Sequence, residues 1–113
     1  CIFTFLLLKN IIFKSKNVKI HPNAKIIGPV FIGNNSIIDS NAQIGPYTVI
    51  GNNCLIDQMS TISRSILWDR IKINENVNIT NSVIGSDCII DKYCNLLNTA
   101  YVSKDYDNNL LAI

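Results

Sequence analysis

With 113 residues, 48% of them hydrophobic, the chain is long enough for one domain with a buried core and too short for two. The net charge is +2 and the sequence has no basic run, which excludes the clustered lysines and arginines of a nucleic-acid-binding face. Because the first residue is Cys1 and the only methionine is Met59, we expect a fragment or a processed product.

The chain opens on an apolar segment, CIFTFLLLKNIIF, which Lys9 and Asn10 interrupt. This segment is too short to cross a bilayer, and it lacks the basic leader and the cleavage site of a signal peptide. We therefore predict no membrane partner. We interpret residues 1–17 as an apolar connector or N-terminal cap, formed by a strand or a short helix, whose partner surface lies outside the chain.

Residues 18–102 repeat with a period of six. Isoleucine stands at the first position of each hexad, in Ile20, Ile26, Ile32, Ile38, Ile44, Ile50, Ile56 and Ile62. A small or β-branched residue follows four positions later, in Ala24, Val30, Ser36, Ala42, Thr48, Cys54, Ser60 and Ile66. This pattern is typical of a hexapeptide β-helix. We predict an all-β fold of about four to five triangular coils, in which both positions point inward and one coil takes three hexads.

The period shortens twice after Ile62. If the units that begin at Ile62 and Ile79 have five residues each, they lie 17 residues apart, stack on one face and preserve the side-chain register. Three inward columns follow from this frame. The first is Ile20, Ile38, Ile56, Ile73 and Ile90, the second is Ile26, Ile44, Ile62, Ile79 and Leu96, and the third is Ile32, Ile50, Leu67, Ile84 and Val102.

Turn-forming residues follow the aliphatic positions. They are Gly33, Gly45, Gly51, Gly85, Asp39, Asp57, Asn74 and Asp91. Glycine tolerates a positive φ, and Asn and Asp come next, so these positions are predicted to form the corners of the coils. The residues after the repeat, 103–113, are predicted to form a tail that caps the open end of the helix.

The cysteines are predicted to be free and structural. Cys54 and Cys88 share an inward column two coils apart, a separation of roughly 9–10 Å that a disulfide does not bridge. Cys94 belongs to another face, and Cys1 lies outside the repeat. Free thiols favour a reducing, cytoplasmic compartment.

One cluster stands out among the predicted corners: Arg64, Trp68, Asp69 and Arg70. Trp68 occupies a corner position where Gly or Asp is the rule, so its ring should project outward, and exposed Trp and Arg are common contact residues. These four residues are therefore a possible interface. The alternative is that Trp68 lies over its own coil and that Arg70 is simply solvated.

Two further sets of residues have ordinary explanations. Asp39, Asp57 and Asp91 share one column and could form a carboxylate pair, but turn chemistry accounts for them better. The single histidine, His21, falls at a corner before Pro22, and one histidine excludes a three-imidazole zinc site. No G-x-G-x-x-G, P-loop or nucleophile-elbow motif is present.

Two blocks of the repeat carry a resemblance to a known family. The stretches HPNAKIIGPVFIGNNSIIDSNAQIGPYTVIGNNCLI and ISRSILWDRIKINENVNITNSVIGSDCII resemble the C-terminal left-handed β-helix of sugar-1-phosphate nucleotidyltransferases, such as mannose-1-phosphate guanylyltransferase. The paired short units in SRSILWD and TNSVIGS carry it most specifically. The resemblance implies a left-handed helix over residues 18–102. It also implies that nucleotide, sugar phosphate and Mg²⁺ bind in a separate N-terminal domain, so no catalytic, cofactor or metal residue is assigned to this chain.

The leading hypothesis is therefore an accessory or oligomerisation domain of such a nucleotidyltransferase, inactive alone, with a homo-oligomer or a missing catalytic domain as its partner. Two alternatives stay open. One is a hexapeptide-repeat acyltransferase, a class that typically uses a histidine base, here His21. The other is a non-catalytic assembly module, as in the solenoid subunits of the translation initiation exchange factor.

Overall fold

The computed structural model describes residues 11–103, which form a β-solenoid of short parallel strands with no helix in that range. The sixteen strands are β1 (Ile12–Lys14), β2 (Lys19–Ile20), β3 (Lys25–Ile26), β4 (Val30–Ile32), β5 (Ile37–Ile38), β6 (Gln43–Ile44), β7 (Thr48–Ile50), β8 (Leu55–Ile56), β9 (Thr61–Ser63), β10 (Ile66–Leu67), β11 (Lys72–Ile73), β12 (Asn78–Thr80), β13 (Val83–Ile84), β14 (Ile89–Ile90), β15 (Asn95–Leu97) and β16 (Ala100–Tyr101). The left-handed parallel β-helix predicted from the sequence is the fold of these residues.

Three flat sheets form the faces of the helix, because every third strand along the chain pairs with the one above it. Sheet A is β1-β4-β7-β10-β13-β16, sheet B is β2-β5-β8-β11-β14, and sheet C is β3-β6-β9-β12-β15. One coil therefore contributes one strand to each sheet. Part of the predicted N-terminal connector, Ile12–Lys14, is the outermost strand of sheet A; residues 1–10 and the tail from residue 104 lie outside the described residues.

The strand register confirms the frame with two short units. Ile62 pairs with Ile44 on one side and Ile79 on the other, and Leu67 lies between Ile50 and Ile84. A flat coil cannot bury its own apolar face, so the stacked isoleucines provide the core. Fully buried members are Ile32, Ile38, Ile44, Ile50, Ile56, Ile62, Leu67, Ile71, Ile73, Ile79, Ile84 and Ile90.

The prediction that Val102 ends the third column was wrong. Ile84 pairs with Tyr101 instead, because the unit that begins at Leu96 is a third five-residue unit stacked on the other two. The interpretation of Ile66 as the residue that follows Ile62 inward was also wrong. Ser65 is buried at that place, while Ile66 is 45% exposed on the outer side of sheet A.

The short units share a hydroxyl ladder that explains their composition. Ser65 Oγ donates to the Ser63 carbonyl at 2.7 Å, and Ser82 Oγ donates to the Thr80 carbonyl at 2.9 Å. Each hydroxyl also accepts from the coil above, since the Ser82 N–H donates to Ser65 Oγ at 3.1 Å and the Thr99 N–H donates to Ser82 Oγ at 3.0 Å. A buried hydroxyl therefore satisfies backbone groups that the missing residue would leave unpaired.

The prediction that the corner glycines adopt a positive φ is correct for Gly45 only. Gly45 has a φ of 101°, whereas the positive φ values of the other corners fall on later residues, mostly Asn, such as Asn35 and Asn53. Gly33 is required for a different reason, because a Cβ there would lie 2.6 Å from the Gly51 carbonyl oxygen in the next coil. Close stacking of consecutive coils, rather than conformational freedom, selects this glycine.

Candidate functional site

An apolar stripe runs along the outer side of sheet A. The residue before each inward aliphatic points outward, because side chains alternate across a strand. In sheet A these outward residues are Phe13, Phe31, Val49, Ile66, Val83 and Ala100. We call this set the apolar stripe. Every member is exposed, and the two phenylalanine rings stack with centroids 5.2 Å apart and planes 4° from parallel.

A shallow groove lies at the phenylalanine end of the apolar stripe. Its volume is about 260 Å³, and its lining is Ile11, Phe13, Pro29, Val30, Phe31, Tyr47, Thr48 and Val49. No charged side chain lines this groove. Large contiguous patches of exposed apolar surface commonly mark interaction sites.

The other two faces differ in composition although their backbones are equivalent. The equivalent outward residues of sheet C, each before an inward aliphatic, are polar: Lys25, Gln43, Thr61, Asn78 and Asn95. Leu97, which follows Leu96 in β15, also lies outward and is 60% exposed, so the last strand of sheet C carries one exposed apolar side chain. Sheet B is mixed, with Lys19, Ile37, Leu55, Lys72 and Ile89. The helix therefore presents one apolar face, one predominantly polar face and one mixed face.

The residues of the predicted interface do not form a single cluster. Arg64 lies at the corner between sheets C and A, where its guanidinium carbon is 5.2 Å from the centroid of the Tyr47 ring. Trp68, Asp69 and Arg70 lie at the other edge of sheet A, after β10. Trp68 is 57% exposed, so the prediction that its side chain projects outward is confirmed. The two groups border the apolar stripe on opposite sides.

Arg70 and Asp69 both have partners in neighbouring coils. Arg70 Nε donates to Asp87 Oδ1 at 2.7 Å, and its Nη2 donates to Asp87 Oδ2 at 3.2 Å, so the pair is bidentate on an exposed corner. The hydrogen bond from Arg70 lowers the pKa of Asp87 below its ordinary value. Asp69 Oδ1 accepts from the Asn52 N–H at 2.8 Å, which makes Asp69 part of the corner structure.

Asp69 extends a ladder of side-chain oxygens along this corner. Asn52 Oδ1 accepts from the Asn34 N–H at 2.7 Å, and Asn34 Oδ1 accepts from the Lys16 N–H at 3.0 Å. Each side chain thus binds the backbone of the preceding coil. The ladder ties consecutive coils together along the A–B edge of the helix, next to Trp68 and Arg70.

His21 and the aspartate column remain at corners. His21 is exposed, and its Nδ1 accepts from the Asn23 N–H at 3.0 Å, which is the geometry of a turn residue. Asp39 and Asp57 each accept from the N–H of the following residue, Ser40 and Gln58. Among residues 11–103, no three His, Cys, Asp or Glu side chains lie close enough to hold a metal ion.

The cysteines of the described residues are free, as predicted. Cys54 and Cys88 are buried, and Cys94 is partly buried. Burial raises the pKa of the Cys54 and Cys88 thiols, so both remain protonated and unreactive at neutral pH. Cys54 Sγ lies 3.0 Å from the Trp68 carbonyl oxygen, which gives this thiol a structural role beneath the corner.

The fold and its surface define the class of protein: a hexapeptide-repeat β-helix with one apolar outer face. Residues 9–107 match the family described as "EIF2B subunit epsilon LbH domain", where LbH stands for left-handed β-helix, and the chain belongs to this family. No curated protein matches this sequence.

Two solved structures with a similar fold are acetyltransferases. The acetyltransferase domain of PglB from Neisseria gonorrhoeae FA1090 is 16% identical with a TM-score of 0.53, over 74% of this chain and 54% of that one. The hexapeptide-repeat acetyltransferase VCA0836 from Vibrio cholerae is 14% identical with a TM-score of 0.53, over 80% of this chain and 66% of that one. The chain thus spans between about half and two thirds of their length, and at these identities the likeness concerns the fold alone.

Residues 11–103 contain no helix of the length and apolarity that a membrane span requires.

Proposed function

We propose that this chain is a non-catalytic assembly module, the β-helix of a subunit like the epsilon subunit of EIF2B, which acts in the cytoplasm by binding protein partners. The observation that carries the proposal is the apolar stripe on sheet A. Its six side chains are not needed for the interior, because the stacked isoleucines already fill it. Exposure of Phe13 and Phe31 in water is unfavourable unless a partner covers them.

The corners that border the stripe support the same function. Trp68 on one edge and Tyr47 with Arg64 on the other are residue types that are enriched at the centres of protein interfaces. The side-chain ladder through Asn34, Asn52 and Asp69 fixes one of these edges. A rigid frame reduces the conformational entropy lost on binding.

The test is co-expression of this chain with the other EIF2B subunits encoded by the same genome, followed by size-exclusion chromatography. We expect co-elution with at least one subunit, and we expect Val49→Asp to abolish it. Asn78→Asp, which places the same charge on sheet C, should leave it unchanged. Absence of co-elution, or equal loss with both variants, contradicts the proposal.

A sugar-1-phosphate nucleotidyltransferase parent is the second candidate, and the stacked short units favour it, because these units carry the sequence resemblance. Residues 11–103 contain three of them, beginning at Ile62, Ile79 and Leu96. The test is pyrophosphate release from nucleoside triphosphates with sugar 1-phosphates, measured on the full protein that contains this domain. Release would favour the nucleotidyltransferase, whereas no release together with co-elution would favour the assembly module. This chain alone should give no turnover in either case.

The acyltransferase alternative depends on His21, whose imidazole is an exposed turn residue. An acetyl-transfer assay on the wild-type chain and on His21→Ala tests it directly. Transfer by the wild type that disappears in the variant would establish this function and overturn the assembly proposal.

A further inference from the structure

We propose that the apolar stripe binds the same stripe of a second copy of this chain, in an antiparallel, two-fold symmetric dimer. This inference rests on the proposed assembly function and names the occupant of the stripe when the chain is alone. Another subunit that binds the stripe displaces the second copy. The two-fold axis would run parallel to the strands and pass between β7 and β10, the central strands of sheet A.

The size gradient of the stripe is the first argument for this geometry. The outward side chains decrease from Phe13 and Phe31 at one end to Val83 and Ala100 at the other. In the antiparallel arrangement Phe13 lies opposite the partner's Ala100, Phe31 opposite the partner's Val83, and Val49 opposite the partner's Ile66. Large side chains then meet small ones, and the two sheets keep the constant separation of about 10 Å that packed sheets adopt.

The edges of sheet A obey the same symmetry. The axis brings the corner after β10 opposite the partner's corner after β7, so Trp68 lies against the partner's Gly51, which itself carries no side chain. On the other edge, Arg64 lies opposite the partner's Tyr47. In the single chain these two side chains already form a cation–π contact at 5.2 Å, and the dimer allows the same contact between copies.

Charge and area agree with a self-complementary contact. The stripe has no charged member, so a second copy is not repelled, whereas sheets B and C present Lys19, Lys72 and Lys25. The stripe with Ile11, Tyr47 and Trp68 exposes on the order of 800 Å² at the usual size of such side chains. This is the area that each partner contributes to a standard interface, about 800 Å².

Sedimentation velocity over a range of concentrations tests the dimer. The wild type should form a dimer, and Val49→Asp should weaken it by about 100-fold or more, because each dimer then buries two charges at its centre. Ile89→Asp removes an exposed isoleucine from sheet B, and Asn78→Asp adds a charge to sheet C; both should dimerise as the wild type does. A cooperative thermal unfolding transition establishes that a monomeric variant is folded, and its melting temperature should lie below that of the wild-type dimer because association stabilises the folded chain.

Crosslinking tests the geometry without disturbing the centre of the stripe. In a background with Cys1→Ser and Cys94→Ser, a short bis-maleimide reagent should join two copies of the double variant Phe31→Cys, Val83→Cys. The single variant Phe31→Cys should stay monomeric on a denaturing gel, because its partner residue is Val83. Efficient crosslinking of the single variant would indicate parallel copies and overturn the proposal.

The outcomes separate this inference from the proposed function. A chain that is monomeric at every concentration, or a dimer that Val49→Asp does not affect, overturns the self-association. Co-elution with other EIF2B subunits in such a case leaves the assembly function in place with a different occupant of the stripe. A dimer with the expected crosslinks but without co-elution supports the inference and contradicts the proposed function.

Discussion

The outer sides of sheets A and C share a backbone geometry and a core but present opposite surfaces. Both sheets stack parallel strands in the same register, and both place buried aliphatics inward. The outward residues before their inward aliphatics differ in polarity, with Phe31, Val49 and Ile66 on one face and Gln43, Thr61 and Asn78 on the other. The comparison teaches that packing dictates the inward residues, so that information about function lies in the outward ones.

The largest expected effect is the loss of an inward side chain. Ile44→Ala removes buried apolar volume from the centre of three stacked coils and should lower the free energy of unfolding by about 2–5 kcal/mol. Thr61→Ala, on the outer side of sheet C, should change it by less than about 0.5 kcal/mol. Urea denaturation measures both, and similar values for the two variants would contradict the division between inside and outside.

The next largest loss of stability should come from a side chain added where two coils lie close together. Gly51 and Gly85 belong to the same corner column and provide a matched pair. A Cβ on Gly51 would collide with the Trp68 carbonyl oxygen, whereas a Cβ on Gly85 would have its nearest neighbour, Val102 Cγ1, at 3.3 Å. Gly51→Ala should therefore destabilise by about 1–3 kcal/mol, and Gly85→Ala by clearly less. Equal melting temperatures for the two variants would show that coil stacking does not select Gly51.

Loss of a hydroxyl from the ladder should destabilise the fold by a similar or smaller amount than Gly51→Ala. Ser82→Ala removes the acceptor of the Thr99 N–H and the donor to the Thr80 carbonyl. It should lower the free energy of unfolding by about 1–3 kcal/mol, because both backbone groups then lose their partner at the short corner. Ser86→Ala, at a less buried corner, is the control and should cost less. Chemical denaturation of both variants provides the comparison, and a neutral Ser82→Ala would contradict the ladder.

The exposed pair of Arg70 and Asp87 gives the smallest effect, and its sign depends on pH. Because the pKa of Asp87 is lowered in the folded chain, the pair adds stability above the ordinary pKa of an aspartate, and this contribution is lost as the pH falls through the lowered value. Asp87→Asn should thus lower the melting temperature slightly at neutral pH and not at all in strong acid. A difference that grows towards low pH would contradict this assignment.

Sequence periodicity predicted almost all of the core, since an inward position accepts only aliphatic or small residues. It failed at Val102. From Leu96, a six-residue unit leads to Val102 and a five-residue unit leads to Tyr101, and the periodicity accepts either residue. The signal that distinguishes them is Thr99, whose hydroxyl lies where Ser65 and Ser82 lie in the earlier short units. The close approach behind Gly33 could not be predicted, since it depends on the distance between coils.

The candidate site was predicted in part. Trp68 and Arg64 were identified as unusual corner residues, but the strand β10 separates them, so they border a surface rather than form one. The surface itself was overlooked, although the frame of the coils contains it: Phe31, Val49, Ile66 and Val83 each precede an inward aliphatic of the same column. Grouping the outward residues by face identifies this surface from the sequence alone.

The central claim is that the outer side of sheet A is a binding surface and that its equivalents on the other faces are not. Methyl NMR of the wild-type chain at increasing concentration tests this claim without any substitution, because isoleucines lie outward on two faces. We expect the δ1 methyl of Ile66 on sheet A to shift or broaden as copies associate, while those of Ile37 and Ile89 on sheet B stay unchanged. Shifts at Ile37 and Ile89 with a constant Ile66 signal would contradict the account.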